Sequence, residues 1–180
     1  MPERIDDRGE APDRSRHPGT IPGTGSAPQG GIGALVPELS VTDLDASLRF
    51  WCGLLGFAIA YDRPAARFAF LTRGAAQIML CQRNGSWETA VLDYPFGRGM
   101  NLQTMIEPLD PVLAALEAAG WPLFEAPRAA WYRVGNAEHG QRECLVQDPD
   151  GYLVRLAENL GTRAPAGGSD PHASPSSLQR

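Results

Sequence analysis

The chain has 180 residues, 43% of them hydrophobic and 21% charged, which suits one domain with a buried core and excludes a disordered or collagen-like class. Its 16 basic residues are all arginine, and against 21 acids they leave a net charge of -5 with no basic cluster, so phosphate neutralisation and nucleic-acid binding are excluded. No apolar run approaches the ~18 residues of a membrane-spanning helix. The polar start MPERIDDRGEAPDRSRHPG lacks the apolar segment of a secretory signal, so a cytoplasmic protein is expected.

In chain order, residues 1–33 are rich in Pro, Gly, Arg and Asp and read as a disordered arm. The glycine-rich run Gly19 to Gly25 is no phosphate loop, because no strand precedes it and no Lys-Ser/Thr follows. Leu35 to Val41 reads as a strand, and Thr42-Asp43 as a helix cap. Leu44, Leu48, Trp51 and Leu55 mark one buried helix face, closed by Gly56. Strands follow at Phe57 to Asp62, Arg67 to Leu71 and Gln77 to Cys81. After a linker over 83–99, Asn101 to Ile106 reads as a strand and Leu109, Leu113 and Leu116 as a helix face ending at Gly120. Leu123-Phe124, Trp131 to Val134, Glu143 to Gln147 and Tyr152 to Ala157 are candidate strands, the last two joined by the turn Asp148-Pro149-Asp150-Gly151. Residues 161–180 read as a second disordered tail. Leu44 aligns with Leu109, and Leu48 with Leu113, at one offset of 65 residues. The core of residues 34–160 is therefore a repeat of one βαβββ module, 34–82 and 100–160. Cys52, Cys81 and Cys144 match no zinc or redox spacing and read as free structural thiols.

This module resembles the vicinal-oxygen-chelate superfamily, which includes glyoxalase I, extradiol dioxygenases, fosfomycin-resistance and bleomycin-resistance proteins. The likeness is carried by Val36-Pro37-Glu38-Leu39-Ser40-Val41-Thr42-Asp43-Leu44, by Ser47, Phe50-Trp51 and Leu54-Leu55-Gly56-Phe57, and by the Asp148 to Tyr152 turn. The segments around Trp87, Phe96 and Trp131, and Glu143 to Tyr152, look most like the bleomycin-resistance type. The resemblance implies an α+β fold in which two βαβββ modules form one cupped, eight-stranded mixed sheet, the glyoxalase/bleomycin resistance fold. It also implies a ligand cup and, in catalytic members, a divalent metal held by His, Glu or Gln.

Those metal positions fall on Val36 and Asn101 in the first strands of the modules, and near Met79 and on Arg155 in the last strands. Valine has no donor, a thioether suits hard ions poorly, and a guanidinium repels a cation. His17 and His172 lie in the tails, and His139 reads as a solvated histidine in a Gly-rich loop, so no metal site and no cofactor is expected.

Alternation along the strands places Glu38, Gln77, Met79, Asn101, Gln103 and Arg155 on the cup face. Glu38 and Arg155 either pair there or reach solvent at the rim. Trp87, Tyr94, Phe96, Trp131 and Tyr132 are aromatic residues on irregular segments, suited to gripping a planar ligand or to filling a core or dimer interface. The expected ligand-binding set is Glu38, Met79, Trp87, Asn101, Gln103, Trp131, Tyr132 and Arg155, with no catalytic residue. The resemblance implies a homodimer that sequesters an antibiotic-like ligand such as a bleomycin-type molecule, and the acidic charge favours a cationic one. The rival reading is a lyase or dioxygenase of the same superfamily with a displaced metal.

Overall fold

A computed structural model describes residues 23–165; residues 1–22 and 166–180, with His17 and His172, lie outside the described residues. Sheet one has five strands in the order β1-β3-β4-β5-β2. They are β1 (Thr24–Gly25), β2 (Glu38–Val41), β3 (Ala58–Arg63), β4 (Phe68–Arg73) and β5 (Ala76–Gln82). Sheet two has four strands in the order β6-β9-β8-β7: β6 (Asn101–Met105), β7 (Leu123–Val134), β8 (Ala137–Gln147) and β9 (Leu153–Arg163). The expected pair of βαβββ modules is present, but as two separate mixed sheets of five and four strands rather than one sheet of eight. Each module closes with its first strand parallel to its last, β2 on β5 and β6 on β9.

Helix α1 (Leu44–Leu48) starts where Asp43 accepts hydrogen bonds from the amides of Asp45 and Ala46. It continues as a wider turn over Arg49–Leu54, in which the Leu55 amide donates to the Phe50 carbonyl at 3.0 Å. That turn buries both Phe50 and Trp51. Helix α2 (Asp110–Ala118) carries Pro111 in its first turn and buries Val112 and Leu116. Leu39, Val41, Leu71, Ile78 and Leu80 of sheet one, Val146, Val154 and Leu156 of sheet two, and Trp51, Leu55 and Leu116 share one hydrophobic cluster. Both sheets therefore turn their helix-bearing faces toward a common core.

Three expectations change. Leu123-Phe124 and Trp131 to Val134 belong to one long strand, broken by register shifts near Leu123/Glu125 and Glu125/Arg128. The segment around His139 is not a loop: Val134 pairs with Ala137 across a two-residue Gly135-Asn136 turn, with Gly135 at φ +58°, and His139 lies in β8. The ordered fold also reaches past the expected core at both ends, to β1 on the near side and to Arg163 in β9 on the far side.

The Asp148–Gly151 turn locks the modules together. Asp150 accepts from the Thr42 amide and, at 2.6 Å, from the Thr42 hydroxyl. Asp148 accepts from Trp51 Nε1 at 3.3 Å and from the amides of Asp150 and Tyr152. The Tyr152 hydroxyl donates to the Ser40 carbonyl. Burial pushes the Asp148 carboxyl up to about 6, against the opposing pull of the hydrogen bonds from Tyr152 and Trp51. An acid raised in the folded state binds its proton more tightly folded than unfolded. Stability therefore rises as pH falls through about 6 toward the ordinary 3.8, and the gain is complete below that. The urea midpoint at pH 5 should exceed that at pH 7, and the difference should shrink in Asp148→Asn; an unchanged pH difference in the variant would count against this assignment.

Candidate functional site

The cup positions lie on the sheet faces opposite the shared core. In sheet one Glu38 pairs with Met79 and Ser40 with Cys81, while Met79 pairs across to Phe70 and Cys81 to Phe68. Phe68 and Phe70 are buried yet stand outside the shared hydrophobic cluster, so this face has its own packing. Tyr61 of β3 stacks on Phe70 with ring centres 5.0 Å apart and planes at 19°. The Arg63 guanidinium sits 4.6 Å over Phe68 and 5.4 Å over Tyr61.

In sheet two the corresponding pair is Gln103 with Arg155. Asn101 and Gln103 are exposed, and the Arg155 side chain is 28% exposed. Beside Arg155 on β8 stands Glu143, an acid with no exposure at all. Its Oε1 accepts from the Tyr132 hydroxyl at 2.8 Å and meets Arg128 Nη2 at 2.7 Å. Its Oε2 lies 3.6 Å from Arg155 Nη1, and neither Oε2 nor Arg155 Nε has a hydrogen-bond partner among the described residues. Arg128 also pairs with Glu125 at 2.6 Å. This is a buried carboxylate between two guanidiniums, stable only because the charges answer one another.

The sequence expectation is corrected in several places. Arg155 pairs with Glu143, not with Glu38, because Glu143 is on the strand directly beside it, whereas Glu38 is exposed on the other sheet. Val36 precedes the β2–β5 ladder, which begins with Glu38 opposite Met79. The four equivalent inward positions are therefore Glu38, Met79, Gln103 and Arg155. A lone carboxylate, a thioether, an amide and a guanidinium, split between two sheets, do not fit a divalent ion. Trp131 and Tyr132 are neighbours on one strand and face opposite ways. Tyr132 joins Glu143, while Trp131 packs against Gly140 and under Arg163, whose guanidinium lies 3.8 Å from its ring. Trp87 is 85% exposed, in the segment between the modules. Phe96 is buried edge-on to Tyr152 and is core.

Glu143, Arg128, Tyr61 and Arg63 were not expected in the site. An acid within an otherwise apolar strand, Glu143-Cys144-Leu145-Val146, was the available sign of a buried ion pair. Burial pushes all three thiols up, Cys144 to about 11, so none is poised as a nucleophile.

Two βαβββ modules with paired first and last strands define a vicinal-oxygen-chelate fold. The profile of the Glyoxalase/Bleomycin resistance protein/Dioxygenase superfamily matches residues 31–156, and the chain belongs to that superfamily. It is 31% identical to a superfamily member from Vibrio splendidus 12B01, over 68% of this chain and 96% of that one, with a TM-score of 0.32. It is similar in fold to TioX from Micromonospora sp. ML1 (21% identity, 71% and 100% covered, TM-score 0.55). A virulence protein from Salmonella typhimurium is also similar (23% identity, 71% and 97% covered, TM-score 0.53). No curated protein matches the chain.

The charge cluster makes a direct prediction. Glu143→Leu leaves two guanidiniums without their buried counter-charge and should cost about 3 kcal/mol. Arg155→Met should cost clearly less, because Glu143 keeps Arg128 and Tyr132. Chemical denaturation of both variants reads the difference, and equal losses would contradict the assigned roles.

Proposed function

We propose that the protein binds a small molecule without transforming it, in the manner of bleomycin resistance protein, within cups completed between two copies of the chain. The observation that carries this reading is Arg155, tied to buried Glu143 at the position where a catalytic relative would present a metal ligand. A second support is the placement of the two half-cups. Glu38–Met79 and Gln103–Arg155 lie on faces turned away from the core that both sheets share, so one half-cup does not close on the other through that core. A second copy that pairs module one with module two would enclose both.

The ligand is expected to be antibiotic-like, as in resistance proteins of this type. The net charge of -5 attracts cations at long range. The walls themselves are mixed, with Glu38 and Glu143 against Arg63 and Arg155. That balance suits a molecule with rings and several polar groups better than a simple cation.

Thermal-shift titration against bleomycin-type glycopeptides, other antibiotics and aldehyde–glutathione adducts tests the reading, since a bound ligand raises apparent stability by mass action. A saturable shift without turnover is expected. Turnover of an adduct, or uptake of Ni²⁺, Zn²⁺ or Fe²⁺ near one per cup, would replace it with the enzyme reading. Sedimentation equilibrium should give twice the chain mass, and a monomer at ~100 µM would remove the shared cup.

A further inference from the structure

The segment before β2 does more than lead into the domain. β1 is bonded to β3 at one edge of sheet one, and β2 lies at the opposite edge, so residues 26–37 must cross the width of the sheet. They cross on the cup face. Gln77, which shares that face with Met79, donates from Nε2 to the Gly31 carbonyl at 2.9 Å and accepts from the Gly33 amide at 2.6 Å. The outer end is fastened where the Thr24 amide and hydroxyl donate to the Asp62 carboxylate and the Ser26 amide donates to the Ala60 carbonyl. The superfamily match begins at residue 31, so β1 lies outside the matched residues.

Between the two fastenings is an open recess of about 320 Å³, bounded by β1, Ile32, Tyr61 and Arg63. Its size falls at the lower end of the roughly 300–1,000 Å³ typical of small-ligand pockets. The chemistry of its walls is specific. Tyr61 is half-buried, with Phe70 stacked beneath it. Ile32 is 61% exposed, an apolar side chain presented to the recess rather than packed in a core. Arg63 rests on Phe68 and Tyr61 and makes no ion pair among the described residues, so its charge is uncommitted. Asp62, the acid beside it in sequence, is occupied by Thr24.

We propose that this recess binds a planar aromatic ring bearing an anionic substituent, with the ring between Tyr61 and Ile32 and the anion on Arg63. The proposal rests on the cup-binding reading above and adds a wall, residues 24–33, together with a ligand class. The aromatic shelf selects a flat ring, and the free guanidinium selects carboxylate or sulfonate over ammonium.

The test is titration of the full chain with 2-naphthoate and, as its cationic counterpart, naphthylmethylamine, followed by methyl and amide resonances. 2-Naphthoate should shift Ile32, Tyr61 and Arg63 saturably, and naphthylmethylamine should not. Arg63→Gln should weaken 2-naphthoate about tenfold. Gly25→Val should do the same by detaching β1, because Gly25 has φ +85° and an added Cβ would fall against the Ala60 carbonyl oxygen. Ile32→Asp, at an exposed position, gives the same reading if Gly25→Val does not fold. Equal binding of the amine, or 2-naphthoate affinity unchanged in Gly25→Val and Ile32→Asp, overturns the recess. Shifts confined to Gln103, Met105 and Leu153 also overturn it while leaving the cup reading in place, and the antibiotic panel judges that reading separately.

Discussion

The rest of the architecture depends on the Asp148–Gly151 turn. It belongs to module two by sequence, yet its acids serve module one: Asp150 holds the amide and hydroxyl of Thr42, and Asp148 holds the indole N–H of Trp51. Both acids are almost fully buried. Buried carboxylates are tolerated only when their acceptor capacity is used, and here backbone and side-chain donors use it. The turn thereby fixes where α1 begins and how deep Trp51 sits. Trp51 and Phe50 then contact Phe57 and Trp121, and so set the spacing of the two modules.

That spacing decides which sheet faces lie outside the shared core. The helix faces of both sheets are spent on one core, so the cup positions fall on the opposite faces. They are not equivalent. Sheet one offers aromatic rings and an arginine with no ion pair among the described residues, while sheet two offers a closed charge cluster with exposed Asn101 and Gln103 beside it. The repeat in the sequence thus yields two sheet faces of similar backbone and different chemistry, as expected when a fold supplies geometry and side chains vary on it.

Much of this was legible in the sequence, for identifiable reasons. The strands of module one followed from apolar periodicity, and the shared faces of Glu38 with Met79 and of Gln103 with Arg155 from strand alternation. The helix faces followed only in part, because the wider turn also buries Phe50 and α2 buries Val112 where Leu113 was expected. What was missed depended on pairing between segments. Gly135-Asn136 reads as a loop in isolation, and only the partnership of Val134 with Ala137 makes it a hairpin turn. Glu38 and Arg155 share a plausible face, but whether they meet depends on which strands are neighbours, and sheet order places Glu143 beside Arg155 instead. Trp131 and Tyr132 are both in the expected ligand-binding set, although adjacent strand residues must point apart. The arm's role was hidden because its contacts are backbone bonds to a distant glutamine and an edge strand, and a Gly/Pro-rich composition does not show them.

The pairing of Arg155 with Glu143 also sets what a metal ligand at position 155 would require. A missing ligand is ordinarily a one-residue matter, reversible by restoring a carboxylate. In this chain a carboxylate at 155 would stand beside Glu143, whose Oε2 is now 3.6 Å from the Arg155 guanidinium and fully buried. Two buried acids at that distance cannot both ionise without a cation between them. The opposite positions, Met79 and Gln103, supply too few hard donors to secure one. An ion site would therefore require changes at 79, 143 and 155 together, with Tyr132 left without its acceptor and Arg128 left to Glu125 alone. The guanidinium is thus part of the folded charge balance of sheet two, and that balance limits what position 155 can present to the cup.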